Sequence, residues 1–78
     1  MSRICIFTVP HCIYCDNLKR FLREQKVRFE EINVSRDKEA KKVMIEQSGQ
    51  KVVPILKIDD NIVIGFNRKK ICKLLGIA

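Results

Sequence analysis

Two cysteines separated by two residues are the feature of this sequence with the most evident chemistry. The segment Cys12-Ile13-Tyr14-Cys15 follows an apolar stretch and precedes a run of helical periodicity. Positions three apart share one side of a helical turn, so the two sulfurs can close a disulfide with little backbone movement. Unpaired N–H groups and the positive end of the helix dipole stabilise a thiolate there. We therefore predict a pKa for Cys12 below the ~8.5 of a free cysteine, with Cys15 deeper and protonated.

This arrangement predicts redox chemistry in two steps. The Cys12 thiolate attacks a substrate disulfide, and Cys15 then attacks the Cys12 sulfur and releases the reduced substrate. His11 adjoins the nucleophile and would favour the thiolate if protonated, as a modulating residue; the alternative is an exposed loop residue with little effect. No metal or organic cofactor is needed, because the two sulfurs carry both electrons.

Half of a zinc site is the main alternative for the cysteine pair. Zinc usually takes four ligands in two close pairs. Cys5 and Cys72 lie in apolar stretches, where cysteine acts as a small hydrophobe, and His11 is the single histidine. We predict no metal site within one chain, and a metal or iron–sulfur cluster shared by two chains stays open.

Hydrophobic periodicity predicts the order β-α-β-α-β-β-α. The helical connection makes the first two strands parallel, and the short Asp59-Asp60-Asn61 turn makes the last two antiparallel. The predicted strands cover 3–9, 27–34, 52–58 and 62–64; the helices begin at Cys12, at Ser35 or Asp37, and at Asn67, and the last two end at Gly49 and Gly76. The predicted inward residues are Leu18, Phe21, Leu22 and Gln25 in the first helix and Ala40, Val43, Met44 and Gln47 in the second, with Lys19, Arg20, Arg23 and Glu24 facing out.

Length and composition narrow the class of protein. The chain has 78 residues, which predicts one domain over 1–78, and a hydrophobic content of 46% is ordinary for a globular protein. No apolar run approaches the ~20 residues that span a bilayer, and the first residues lack the pattern of a signal peptide, so a cytoplasmic protein is predicted. A monomer is expected. The net charge of +7 favours anionic partners. Basic and acidic residues are interspersed and aromatics are few, so nucleic-acid binding is not predicted.

Three segments resemble the glutaredoxins, and more narrowly the small bacterial and archaeal glutaredoxin-like proteins and NrdH-type redoxins. They are the Cys12–Cys15 segment, 48–54 (Ser-Gly-Gln-Lys-Val-Val-Pro) and 65–67 (Gly-Phe-Asn). The resemblance covers essentially the whole chain. It implies a thioredoxin fold with strand order 2-1-3-4, a cis Val53–Pro54 bond, and pairing of the Val53 backbone with the substrate. The substrate-binding residues taken from it are Tyr14, Gln50, Lys51, Val53, Pro54, Gly65, Phe66 and Asn67.

Departures from the family pattern leave the substrate open. Val9 stands where glutathione-using members usually carry lysine, Ile13 replaces the usual proline, and the acidic residues expected after Gly65 are absent. One reading is a reductase of protein disulfides or glutathione mixed disulfides in cell redox homeostasis, with glutathione or thioredoxin reductase as its electron source. The alternative is an NrdH-type hydrogen donor for ribonucleotide reductase, recycled by thioredoxin reductase and NADPH. A non-catalytic thioredoxin-like binding module is the third reading.

The last helix begins with three basic residues, Arg68, Lys69 and Lys70. Positive charge at that end opposes the helix dipole. They are either a positive rim for an acidic partner or for the carboxylates of glutathione, or a solvated turn whose cost is small. The solvated turn is the simpler interpretation.

Overall fold

The computed structural model describes residues 3–77, which form four strands and three helices in the predicted order. The strands are β1 (Ile4–Thr8), β2 (Glu30–Asn33), β3 (Ile55–Ile58) and β4 (Asn61–Ile64). The helices are α1 (Ile13–Glu24), α2 (Lys38–Ser48) and α3 (Arg68–Leu75). Within this described range no helix is long and apolar enough to cross a bilayer.

The sheet has the order β2-β1-β3-β4. β1 and β2 run parallel, whereas β3 is antiparallel to both β1 and β4. This confirms the predicted fold class, a thioredoxin-type mixed sheet. The second and third strands are shorter than predicted, because 27–29 and 52–54 lie outside the ladder. Pro54 has no N–H to donate to a ladder, and it follows a cis peptide bond from Val53.

Helices cover both faces of the sheet and create two cores. Successive residues of a strand point to opposite faces, so β1 contributes to both. The larger core joins β1, β3 and β4 to α1 and α3 through Ile4, Ile6, Leu18, Phe21, Leu22, Leu56, Ile58, Val63 and Ile71. The smaller one lies under α2 and contains Phe7, Val34, Met44 and Ile55.

Each helix begins at a side chain that caps its first turn. Asp37 accepts from the Ala40 N–H at 3.0 Å, so Asp37 and not Ser35 is the cap of α2. Asn67 accepts from the Lys70 N–H at 3.1 Å and caps α3, as predicted. Gly49 ends α2 with φ +71°, in the left-handed region that glycine adopts without steric cost.

Four side-chain positions differ from the sequence prediction. Lys19, predicted to face out, is only 17% exposed, because it pairs with a residue of β2. Gln25 is the exposed C-cap of α1 and not an inward residue. Val43 and Gln47 of α2 are exposed, since this helix meets the sheet mainly through Met44.

Candidate active site

The predicted site residues come from three segments that meet at one edge of the sheet. Phe7 of β1 pairs with Ile55 of β3, which in turn pairs with Ile64 of β4. The loop that leaves β1, the segment that enters β3 and the segment that leaves β4 therefore lie at the same edge. The Gly65 N–H donates to the Pro54 carbonyl at 2.8 Å and joins the last two.

Cys12 and Cys15 are disulfide-bonded, with their Cα atoms 5.2 Å apart. Cys12 is half-buried, whereas Cys15 is only 1% exposed and packs inward from α1. The two sulfurs thus lie within bonding reach, and they differ in access. A bulky partner can approach Cys12, and Cys15 is reached only through Cys12.

Cys12 is the N-cap of α1. Its backbone is extended, with φ −110° and ψ 108°, and its Sγ accepts from the Cys15 N–H at 3.1 Å. Ser, Thr, Asp and Asn usually fill this position with an oxygen, and here a sulfur does. In the reduced protein a thiolate at Cys12 has an N–H directed at it and the positive end of the helix dipole beside it.

The segment before β3 offers backbone groups at the same edge. The Val53–Pro54 bond is cis, as the family resemblance implied. Across residues 3–77, neither the N–H nor the carbonyl of Val53 pairs with another group. Val53 is half-buried, Pro54 is buried, and Gln50 and Lys51 are exposed. An extended chain could therefore pair with the Val53 backbone without displacing a ladder bond.

Apolar side chains are exposed around the cysteine pair. Ile13 is 74% and Tyr14 69% exposed, and Val52 is exposed beside the proline segment. Exposed large apolar side chains beside a reactive group are typical of an interaction surface. His11 is also exposed, with φ +59°, in the loop before Cys12.

The segment 65–67 connects the site edge to α3. The Phe66 ring lies 5.6 Å from that of Phe21, between ring centroids. The Asn67 side chain is committed to capping α3. Gly65 has φ +73°, a backbone conformation that a side chain would strain.

Two of the three basic residues that open α3 have partners within the protein. The Arg68 guanidinium lies 5.0 Å from the centroid of the Phe21 ring, a cation–π contact. The Lys70 ammonium donates to the Ile62 carbonyl at 3.0 Å. These contacts offset the unfavourable position of the Arg68 and Lys70 charges at the helix end. Lys69 is exposed.

An ion pair that the sequence did not predict joins α1 to β2. The Glu31 carboxylate Oε2 accepts from the Lys19 ammonium at 2.9 Å and from the Thr8 hydroxyl at 2.9 Å. The hydrogen bond to Glu31 raises the pKa of Lys19, and the same bond, followed by that from Thr8, lowers the pKa of Glu31. The one sequence feature that could have pointed to this cluster is a threonine in the otherwise apolar first strand.

Two further cysteines, Cys5 and Cys72, are free and half-buried. They lie on different elements and do not join the cysteine pair. Among residues 3–77 no group of three or more histidine, cysteine or acidic side chains is close enough together to hold a metal ion.

The fold and the site together define a thioredoxin-fold protein with a dithiol at the start of its first helix. The glutaredoxin family profile matches residues 4–63, so this chain belongs to the glutaredoxin family. An 8.6 kDa glutaredoxin-like protein of Clostridium pasteurianum is 36% identical over 70 residues, which cover 90% of this chain and 93% of that one.

Two further comparisons connect the chain to both branches considered above. The structure of the Escherichia coli NrdH-redoxin has a TM-score of 0.84 and 33% identity, over 92% of this chain and 93% of that one. Glutaredoxin 1 of Rickettsia felis is 41% identical over 67 residues, which cover 83% of this chain and 65% of that protein. The chain is accordingly a redox protein with a thiol–disulfide exchange pair, in a family that needs no bound cofactor.

Proposed function

We propose that this protein is a dithiol reductase of protein disulfides in which Cys12 attacks and Cys15 resolves. The observation that carries the proposal is the unequal access of two bonded sulfurs, one half-buried at a helix cap and one buried behind it. Attack from outside therefore falls on the sulfur that the helix end activates.

The exchange is balanced without a bound cofactor. The Cys12 thiolate attacks one sulfur of the substrate disulfide, and the other substrate sulfur leaves as a thiolate and takes a proton. Cys15 then loses its proton and attacks the Cys12 sulfur, which releases the second substrate thiol. The substrate gains two electrons, and the protein loses two as the Cys12–Cys15 disulfide forms.

A protein segment fits the site edge. The unpaired Val53 backbone can add an extended chain in the manner of a strand. The exposed side chains of Ile13, Tyr14 and Val52 offer apolar contact on either side of it. The Gly65 N–H donates to the Pro54 carbonyl at this edge, and Phe66 follows Gly65 in the chain. Gln50 and Lys51 are exposed in the segment that leads to Val53.

The electron source that we propose is thioredoxin reductase. Asn67 is committed to its helix and no acidic residue follows it in the first turn of α3, so a group that would hold the amino end of glutathione is lacking. The E. coli NrdH-redoxin, similar over nearly its whole length, is described as having a thioredoxin-like activity profile. Glutathione is the second candidate source, because the glutaredoxin 1 of R. felis shares the higher identity. We further propose a cytoplasmic monomer, with ribonucleotide reductase among the candidate recipients.

Reconstitution with two reducing systems tests the proposal. The protein is combined with thioredoxin reductase or with glutathione and glutathione reductase, and NADPH consumption is followed with insulin as the disulfide substrate. We expect turnover with thioredoxin reductase and its loss in Cys12→Ser and Cys15→Ser, because a lone cysteine cannot release a protein mixed disulfide. Activity that survives Cys15→Ser and requires glutathione would favour the second candidate.

Alkylation of the reduced protein against pH tests the activation of Cys12 separately. We expect one thiol to react with an apparent pKa below ~8.5. The Cys12→Ser variant is the control and should lose that component. An unperturbed titration would argue against an activated nucleophile and for a binding module.

A further inference from the structure

A buried hydroxyl and an ion pair lie on the face of the sheet that α1 covers. Ile6 of β1 packs against α1, and because strand residues alternate between faces, Thr8 faces α1 as well. Thr8 is buried and donates to Glu31 of β2 at 2.9 Å, which places that carboxylate on the same side. On α1, Lys19 follows Cys15 by four residues, so their Cβ atoms are roughly 5–6 Å apart.

The Lys19 ammonium is held near the first turn of α1. Helical side chains lean toward the N-terminus, and the 3.5 Å contact from Nζ to Asp16 shows that Lys19 reaches back a full turn. Its second contact, 2.9 Å to Glu31, fixes it on the β2 side. Lys19 therefore lies one turn from Cys15 on the same face of α1, with its ammonium held toward the start of the helix.

The other charged groups of α1, of the loop before it and of the first turn of α3 are more exposed. Lys57 of β3 is half-buried, but it pairs with Cys5 and faces the other side of the sheet. Asp16 is exposed and shares Lys19, and Arg23 is exposed one turn further along α1. His11 is exposed in the preceding loop, and the Arg68 guanidinium of α3 lies over the Phe21 ring of α1. Lys19 is the half-buried cation of this set, and Glu31 is its anionic partner.

We propose that Lys19 and Glu31 are positioning residues that set how readily Cys15 loses its proton in the resolving step. A positive charge favours the Cys15 thiolate and a negative charge opposes it, so Lys19 speeds resolution and Glu31 slows it. The inference rests on the proposed function, since it assigns that step to Cys15.

The two residues give opposite predictions although they share one ion pair. Either substitution breaks the same contact and costs stability in the same direction. Their electrostatic effects on Cys15 have opposite signs. A merely structural role therefore cannot reproduce the expected pattern.

Dithiodipyridine, a small uncharged aromatic disulfide, separates the two steps. Attack by Cys12 releases one coloured thiopyridone, and attack by Cys15 on the resulting mixed disulfide releases the second. Stopped-flow absorbance across a pH series gives a rate for each phase. All variants carry Cys5→Ala and Cys72→Ala, so that only the active-site pair reacts.

Near neutral pH, we expect Lys19→Met to slow the second phase about tenfold and to move its pH midpoint upward. Glu31→Gln should speed that phase about threefold and move the midpoint downward. Lys19→Arg, which keeps the charge, should restore the original profile. The first phase should change less in all three, because Cys12 is half-buried and solvent screens its sulfur better than that of the buried Cys15.

Two neighbouring residues supply matched controls. Arg20→Met removes the same charge from the exposed side of α1. Glu30→Gln removes a carboxylate from the other side of the sheet, since Glu30 is the register partner of Cys5. Solvent screens both, so each should alter the second phase by less than about twofold.

Two results would overturn the inference. In the first, the first phase is intact, and Lys19→Met and Glu31→Gln shift the second phase in the same direction or leave it unchanged. That result refutes the role of the ion pair and leaves the proposed function standing. An absent or slow first phase in the protein with only Cys5 and Cys72 replaced refutes the proposed function, and this inference with it.

Discussion

Glu31 and Lys19 each favour the charged form of the other, so the stability of the fold depends on the ionisation of this pair. The Glu31 carboxylate accepts two hydrogen bonds at one oxygen, and the ammonium of Lys19 supplies one of them. Each bond favours the ionised carboxylate over the protonated form, which is why the pKa of Glu31 falls below its usual 4.5. A group with a lowered pKa in the folded state stabilises the fold only while it is ionised.

We therefore predict that Glu31→Gln reduces the acid sensitivity of the fold. The contribution of Glu31 is complete above the pKa of the unfolded chain and disappears as pH falls through the lower folded value. The raised pKa of Lys19 acts at the other end, since its contribution is lost only as pH rises above about 10.5. Urea midpoints measured from neutral to strongly acid pH should fall less steeply in Glu31→Gln than in Glu30→Gln. Equal slopes in the two variants would contradict the role of the ion pair.

The reactive pair and the ion pair were not equally predictable. The relation between Cys12 and Cys15 is local, because three-residue spacing at a helix start sets it. Lys19 was predicted to face solvent, since a lysine beside a buried helical stripe usually does. Its partner Glu31 belongs to another element, and only the pairing of β1 with β2 places the two together.

At the scale of elements, α3 begins with charges that its own dipole opposes. Asn67 caps the helix, and Arg68 and Lys70 find partners elsewhere in the protein. Lys69 has the same position without such a contact in the described range, and the first turn contains no acidic residue. A negative charge at the cap would satisfy both the helix end and these cations.

We predict that Asn67→Ala and Asn67→Asp change stability in opposite directions. Loss of the cap should cost about 1 kcal/mol, and aspartate should keep the cap and add about 0.3–1 kcal/mol at low ionic strength. Urea unfolding of the oxidised protein measures both. Asp37→Ala at α2 is the comparison, and it should resemble Asn67→Ala. An aspartate variant less stable than the original protein would contradict this electrostatic account.

The order and type of the elements followed from periodicity, whereas their exact extents did not. Asn67 is the predicted cap of α3, and Asp37 is one of the two residues predicted for α2. Both could be predicted because capping is a local interaction. The strand predicted to start at residue 27 begins at Glu30, since the hydrophobic pattern continues through residues that pack on the core without joining the ladder. Val43 was wrongly placed inward, because α2 covers the sheet over a narrow contact.

For the whole molecule, charge is the dominant long-range feature. The described chain measures 35 × 25 × 19 Å and carries a net charge of +7. Four basic residues and no acidic one lie in α3. At low salt the screening length of ~30 Å approaches the size of the protein, so these charges repel one another across it.

Added salt should therefore stabilise the fold. Raising ionic strength from about 0.01 M to 0.1 M shortens the screening length to ~10 Å and should raise the urea midpoint. Lys69→Glu combined with Lys73→Glu lowers the net charge and should reduce this response. A midpoint that falls with salt in the original protein, or an unchanged response in the double variant, would show that self-repulsion is unimportant here.

The global topology needed more than local patterns. Periodicity predicted one parallel and one antiparallel pair, and the likeness of three separated segments to glutaredoxins supplied the strand order and the cis Val53–Pro54 bond, which the structure confirms. Pairings between distant strands depend on contacts that no short segment specifies. The segment 48–54 predicts the cis bond only through its resemblance to the family pattern. Its composition alone indicates an ordinary turn.

The sulfur that receives the substrate is also the atom that closes the start of α1. The bonding state of the Cys12 sulfur is thus coupled to the order of this helix end. Any adduct on Cys12 that turns its sulfur aside leaves the Cys15 N–H without its acceptor. The rate at which that single amide proton exchanges with solvent would then distinguish the intramolecular disulfide from a mixed disulfide on Cys12 without a chromophore.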